Sequence, residues 1–234
     1  MTHRHRSIEQ ILEEQSLRWQ LLRSERRAEE PLRPVVTVSR LHGAGGGELA
    51  RRVAEGLRLD FFDKELIQQV AESAHLGERV VAALDEKDRE LLTDWLSALV
   101  SDAYLSSFGY RYHLARVVGA IARHGGAVIL GRGAHLILGP GEALRVLVVA
   151  PLETRIAAVV QREGLVERDA RRRIAEVEAE RRAFLVKHFH ADVNDPASFD
   201  LVVNTGVIGI EGAVKTVSSA AAALPVRRAT LAAS

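Results

Sequence analysis

Apolar positions recur at helical spacing near the start of the chain, where Ile8, Ile11, Leu12, Trp19 and Leu22 accompany Ser7-Ile8-Glu9-Gln10, a serine-to-glutamine spacing typical of a capping box. The pattern predicts a helix to about Arg27, broken by Pro31 and Pro34. Its apolar stripe needs a surface to cover it, either its own domain or a second copy of the chain. The periodicity then changes to the β-branched run Val35-Val36-Thr37-Val38. From there, strand-like runs (Val35 to Val38, Phe61-Phe62, Ala127 to Leu130, Leu144 to Ala150, Leu201 to Val203) alternate with helical stretches, a rhythm that predicts a parallel sheet covered on both faces. Lys64 to His124 reads as a helical insertion between the second and third strands. Its aromatic residues Trp95, Tyr104, Phe108, Tyr110 and Tyr112 are expected to pack between helices rather than to stack on a base. Arg162 to His190 reads as a charge-dense helical segment, with Arg171, Arg172, Arg173, Arg181 and Arg182 among glutamates. Such a segment is either a solvated helix laced by ion pairs or a source of phosphate-binding cations. The chain divides into a helical extension and linker (1–33), one α/β domain (34–224) and a flexible tail (225–234).

With 234 residues, there is material for one filled α/β domain plus an appendage. Apolar residues make up 47% and charged residues 27%, which argues against general disorder. The net charge of +1 gives no electrostatic case for nucleic acid as the main partner. Arginine nevertheless far outnumbers lysine, and its planar fork grips phosphates bidentately. Absence of cysteine excludes disulfides, thiolate metal sites and cysteine nucleophiles. Met1 to Arg6 is basic but leads into an amphipathic stretch rather than an apolar one, so a cytoplasmic protein with no membrane partner is expected. His188, His190, Asp192 and Asp195 could be drawn as a metal cluster, but two histidines two apart on a helix diverge, and no metal ligand is assigned. No G-x-S-x-G context supports a hydrolase.

The sharpest local signal is Val38-Ser39-Arg40-Leu41-His42-Gly43-Ala44-Gly45-Gly46-Gly47-Glu48-Leu49-Ala50, which follows a strand and opens a helix. Glycines there allow close backbone approach, and the free amides of a helix start face any anion held in the turn. The pattern G-x-x-x-x-G-K-[ST] is not met: Gly46 stands where the lysine belongs, and Glu48 reads as replacing the magnesium-binding hydroxyl. Loss of one preorganised cationic donor should cost about 2.7–4 kcal/mol of transition-state stabilisation, by analogy with an oxyanion-hole donor. Arg40 and Lys64 are the nearest candidates in sequence to replace it.

Four successive blocks, namely this loop, Leu59-Asp60-Phe61-Phe62-Asp63-Lys64-Glu65-Leu66-Ile67, Val128-Ile129-Leu130-Gly131-Arg132-Gly133-Ala134 and Val148-Val149-Ala150-Pro151-Leu152-Glu153-Thr154-Arg155-Ile156, resemble in order and spacing those of the cytidylate-kinase-like family. The resemblance continues through Arg162-Glu163-Gly164, the helix carrying Glu178 and Arg181, and Asp195-Pro196 to Thr205, and covers about Val35 to Ala220. It implies a nucleoside-monophosphate-kinase-like domain over 34–224: a P-loop NTPase-type three-layer α/β/α fold with a five-stranded parallel sheet, a substrate-binding helical insertion and a lid. It also implies transfer of the terminal phosphoryl group of ATP, with magnesium, to a nucleoside monophosphate, CMP or dCMP first. Members of this branch read S-R-x-x-G-S-G-G-R at the loop, and here the last arginine is Gly47. That departure favours an alternative class, a catalytically weak kinase fold that binds a nucleotide or phosphorylated ligand as a regulatory or assembly module, dimerised by the N-terminal helix. The resemblance assigns Ser39, Arg40, Gly43, Ala44, Gly45, Gly46, Gly47 and Glu48 to the donor nucleotide. It assigns Asp63, Lys64, Arg132 and Arg162 to the acceptor, and Arg132, Arg181 and Arg155 to catalysis; Asp63 reads equally well as a helix N-cap.

Overall fold

The computed structural model describes residues 10, 13–15, 17–19, 21, 33–101, 109–192 and 195–224. Pro31, Tyr104, Phe108 and the tail from Pro225 lie outside them, as does most of the predicted first helix. Two compact units emerge among the described residues, one of 34–62 with 126–224 and the other of 63–125 with the described N-terminal residues.

The first unit is built on strands β1 (Val35–Arg40), β2 (Asp60–Phe62), β3 (Ala127–Leu130), β4 (Leu144–Val149) and β5 (Leu201–Asn204), all parallel in the order β2-β3-β1-β4-β5. β1 lies at the centre because its apolar run is buried on both sides: Val35, Val36, Thr37 and Val38 are all buried. Val36 pairs with Val128 on one side and Leu144 on the other. Helix α1 (Gly46–Gly56) and the late helix over Thr205–Ala222 cover one face of the sheet. Leu49, Ala50, Val53 and Ala54 form the inward stripe of α1 and meet Val38, Val128, Val146 and Val148 in the main core. Each fully buried valine there contributes about 1.5–3 kcal/mol.

In the second unit, α2 (Lys64–Glu72), α3 (Ala74–Ala82), α4 (Glu86–Ser101) and α5 (Tyr110–His124) make the predicted insertion. It is divided where capping residues occur: the Asp63 carboxylate accepts from Leu66 N–H at 2.9 Å, and the Ser73 hydroxyl from Leu76 N–H at 3.3 Å. Trp95 packs on Gly119 of α5, where a Cβ would lie 2.6 Å from the indole. Trp19 stacks on His124 with ring centroids 3.8 Å apart, so at least this position of the N-terminal stripe is covered by its own chain.

The first unit is completed by α6 (Ala134–Ile137), α7 (Leu152–Glu163), α8 (Glu167–Phe189), a 3-10 turn at Pro196–Ser198 and α9 (Thr205–Ala222). α6 packs on β1 on the face opposite α1. α7 and α8 form a hairpin around Ile156, Val159, Ala170 and Ile174, turned at Gly164 with φ 67°. No helix among the described residues is long and apolar enough to cross a membrane.

Candidate active site

β1 ends between β3 and β4, which lead on to opposite edges of the sheet, and open α/β sheets bind ligands at such a point. The chain leaves β1 at Arg40 and turns into α1 through Gly43 (φ 84°) and the N-cap Gly45 (φ 76°, ψ 9°). Both glycines are required by backbone and by space. A Cβ on Gly43 would stand 2.6 Å from the Arg155 carbonyl oxygen, and one on Gly45 would stand 2.4 Å from Ile210 Cδ1. No side chain among the described residues caps α1, so its first amides are left for an anion. Thr205 anchors the turn from behind: its hydroxyl lies 2.9 Å from the Ala44 carbonyl and 3.2 Å from that of Val149.

With Gly45 as the N-cap, Gly46 holds the lysine position of the phosphate-loop motif and Gly47 the hydroxyl position. This register corrects the reading that set Glu48 at the hydroxyl. The Glu48 carboxylate runs along α1 to Arg52, 3.5 Å away, and Arg52 also pairs with Glu211. Gly47 has no steric need to be glycine, since a Cβ there would meet only Leu130 Cδ2 at 3.9 Å.

The first half of the loop is gripped by the α7–α8 hairpin. Glu178 accepts from the His42 N–H at 3.3 Å and from Arg155 Nη1 at 2.5 Å, while Arg155 also donates to the carbonyls of Ala150 (3.0 Å) and His42 (3.3 Å). One turn on from Glu178, Arg181 Nη1 donates to the Arg40 carbonyl at 2.9 Å. Burial lowers the pKa of the Arg181 guanidinium. The His42 imidazole faces Arg162 at 3.4 Å and Glu163 at 3.6 Å. Burial first, then Arg181 and Arg162, push its pKa down to about 4, so His42 is neutral near pH 7. Arginines from both hairpin helices therefore crowd the mouth of the loop.

Arg132 follows β3 in a run of left-handed residues, with Gly131, Arg132 and Gly133 at φ 82°, 53° and 68°. For a residue with a Cβ this conformation is costly, and such strain concentrates at functional positions. Its guanidinium carbon lies 5.0 Å from the centroid of the Phe184 ring of α8, a cation–π contact that orients the side chain. Ser39 Oγ lies 3.1 Å from Nδ1 of the buried His135, whose ring stacks on Phe199 at 4.6 Å. Ser39 is thus engaged beneath the loop. Burial lowers the His135 pKa to about 4, and Arg145 adds to the shift.

Among the sequence-predicted residues, the structure brings together Ser39, Arg40, the loop glycines, Arg155, Arg162 and Arg181. Asp63 and Lys64 belong to the other unit, where Asp63 caps α2 and Lys64 pairs with Glu65 at 3.2 Å. Glu178, His42, Phe184 and Thr205 were not singled out by sequence as site residues. The one signal that could have found Glu178 is its spacing from Arg181, three apart on one helix face.

The chain resembles known proteins along most of its length. It is 27% identical to a cytidylate kinase of Pyrococcus horikoshii over 80% of this chain and 87% of the relative. To a cytidylate kinase of Ignicoccus hospitalis it is 28% identical over 78% and 96%. The crystal structure of an uncharacterised protein from Eubacterium ventriosum superposes with a TM-score of 0.56 at 17% identity, covering 81% of this chain and 99% of that one, and shares the fold. The model of the cytidylate kinase-like family matches residues 35–207, from the first residue of β1 to the start of α9, and the chain belongs to that family.

Proposed function

We propose that the protein is a nucleotide kinase that moves the terminal phosphoryl group of ATP to a nucleoside monophosphate, with CMP or dCMP as the acceptor. The observation that carries this reading is the pairing of an uncapped, glycine-turned helix start with Arg132 at the end of the neighbouring strand β3, in a chain whose relatives are named cytidylate kinases. A phosphate oxygen of the acceptor attacks the γ-phosphorus of ATP, the new P–O bond forms as the β–γ bridging bond breaks, and ADP leaves. Such a step needs positioning and charge neutralisation rather than a covalent enzyme intermediate.

In this reading the first amides of α1 hold the donor phosphates, and Arg132, oriented by Phe184, holds the acceptor phosphate. Arg162 and Arg181 bring positive charge over the transferring group, while Arg155 and Glu178 keep the loop in shape. The loop offers magnesium no hydroxyl, since Gly47 holds that position, so the donor set does not fit a protein-held ion. Magnesium would arrive as the counter-ion of the triphosphate, where it neutralises phosphate charge.

The glycines at 46 and 47 favour a second reading, in which the same loop binds a nucleotide without transfer and serves a regulatory or assembly role. A coupled assay of the full chain with magnesium-ATP against a panel of nucleoside monophosphates separates the two. Turnover with a preference for cytidylates supports the kinase; ATP binding without turnover on any acceptor supports the second reading.

A further inference from the structure

We infer that Arg40 supplies the cation that the phosphate loop lost at position 46, an inference that rests on the phosphotransfer reading above. Counted from Gly45, the motif G-x-x-x-x-G-K-[ST] sets its first glycine at position 40 and its lysine at position 46. This chain inverts the pair, with arginine at the glycine position and glycine at the lysine position. The two changes are sterically coupled. A Cβ on Gly46 would stand 2.4 Å from Arg40 Cβ and 2.9 Å from Arg40 Cγ, so a side chain at 46 and the Arg40 side chain exclude one another. The backbone accommodates one cationic stem beneath the start of α1, and here that stem belongs to Arg40.

The guanidinium then emerges between the carboxyl ends of β1 and β3. Arg40 Nη1 lies 2.5 Å from where a Cβ on Gly131 would stand, one residue before Arg132. The Arg40 carbonyl is fixed by Arg181 at 2.9 Å and the next amide by Val148 O at 2.9 Å, so the base of the side chain is held from both sides. Arg155, which also reaches the loop, spends its donors on the carbonyls of Ala150 and His42 and on Glu178. The ligand class follows from the chemistry: a planar fork at this place takes two oxygens of the β- and γ-phosphates of a nucleoside triphosphate.

The exchange is testable because it can be reversed. Calorimetry of the full chain with inorganic tripolyphosphate reads the loop cation without any acceptor, and the coupled assay reads transfer. Arg40→Gln is expected to weaken tripolyphosphate and magnesium-ATP by about tenfold or more and to lower kcat by about 100-fold, while the double variant Arg40→Gly/Gly46→Lys recovers both. Wild-type tripolyphosphate affinity in Arg40→Gln overturns the inference, as does a double variant no better than Arg40→Gln at matched melting temperature. Should Arg40→Gln fold poorly, Arg40→Lys decides: it is expected to keep most of the tripolyphosphate affinity and lose mainly kcat, and an equal loss of affinity overturns the proposal. Tripolyphosphate binding that depends on Arg40 without turnover on any acceptor would sink the phosphotransfer reading alone; turnover unaffected by Arg40→Gln would sink the role of Arg40 alone.

Discussion

Glu178 and Arg155 meet at 2.5 Å, and the same carboxylate oxygen accepts the His42 amide at 3.3 Å, so one acidic side chain of α8 ties a buried arginine of α7 to the backbone of the phosphate loop. Glu178→Gln would leave the Arg155 charge, in a residue only 8% exposed, without its counter-charge. A destabilisation of about 1–3 kcal/mol is expected by urea unfolding, from a buried charged donor left poorly paired. The KM for ATP should rise as well, because His42 is released. A variant as stable as the parent would show that the pair is not what holds the loop.

The loop glycines separate into those the backbone demands and one it does not. Gly45→Ala must place a Cβ at φ 76° against Ile210 and is expected to cost about 1–2 kcal/mol. Gly47→Ala has open space and sits in the first turn of α1, so it should be neutral or stabilise by about 0.4–1 kcal/mol. Thermal melts of the two variants compare them directly, and a destabilised Gly47→Ala would contradict the geometry.

One buried imidazole, His135, and one half-buried, His42, make stability depend on pH. Burial pushes the pKa values of His42 and His135 in the folded chain down to about 4 from the ordinary 6.5. Because the folded values are depressed, the unfolded chain binds more protons between pH 6.5 and 4. Stability is therefore full above pH 6.5 and falls as the pH drops towards 4. For His135 the complete loss amounts to about 3 kcal/mol, at about 1.4 kcal/mol per pH unit. Urea unfolding at pH 7 and pH 5 should show the drop in the parent chain and a smaller one in His135→Gln; equal drops would contradict the assignment.

The five strands were legible because four are short β-branched or aliphatic runs and the other, β2, is marked by the aromatic pair Phe61-Phe62, and Ala127–Leu130 was read to the residue. β1 runs two residues further than its apolar pattern because Ser39 and Arg40 continue the pairing with Leu147 and Val148. The insertion was legible as helical, whereas the stretch Arg162 to His190, read as one helical segment, is broken at Gly164, where a glycine meets a left-handed φ, and its long helix starts only at Glu167. The site was less legible, since its contacts join distant parts of the chain. Nothing local to Glu178 reveals that it lies against His42, 136 residues away, or that Arg155 points its donors at loop carbonyls. The exchange of positions 40 and 46 could have been read by counting, but its steric logic needed the 2.4 Å approach of Arg40 to Gly46.

The measurement that bears most directly on the central claim is steady-state phosphotransfer from magnesium-ATP to CMP by the full chain and by Arg132→Ala, with melting temperatures for both. The account predicts turnover by the parent chain and, in the folded variant, a loss of kcat/KM for CMP of about 100-fold or more with the KM for ATP little changed. Absence of CMP turnover in the parent chain, or full activity in Arg132→Ala, would contradict it.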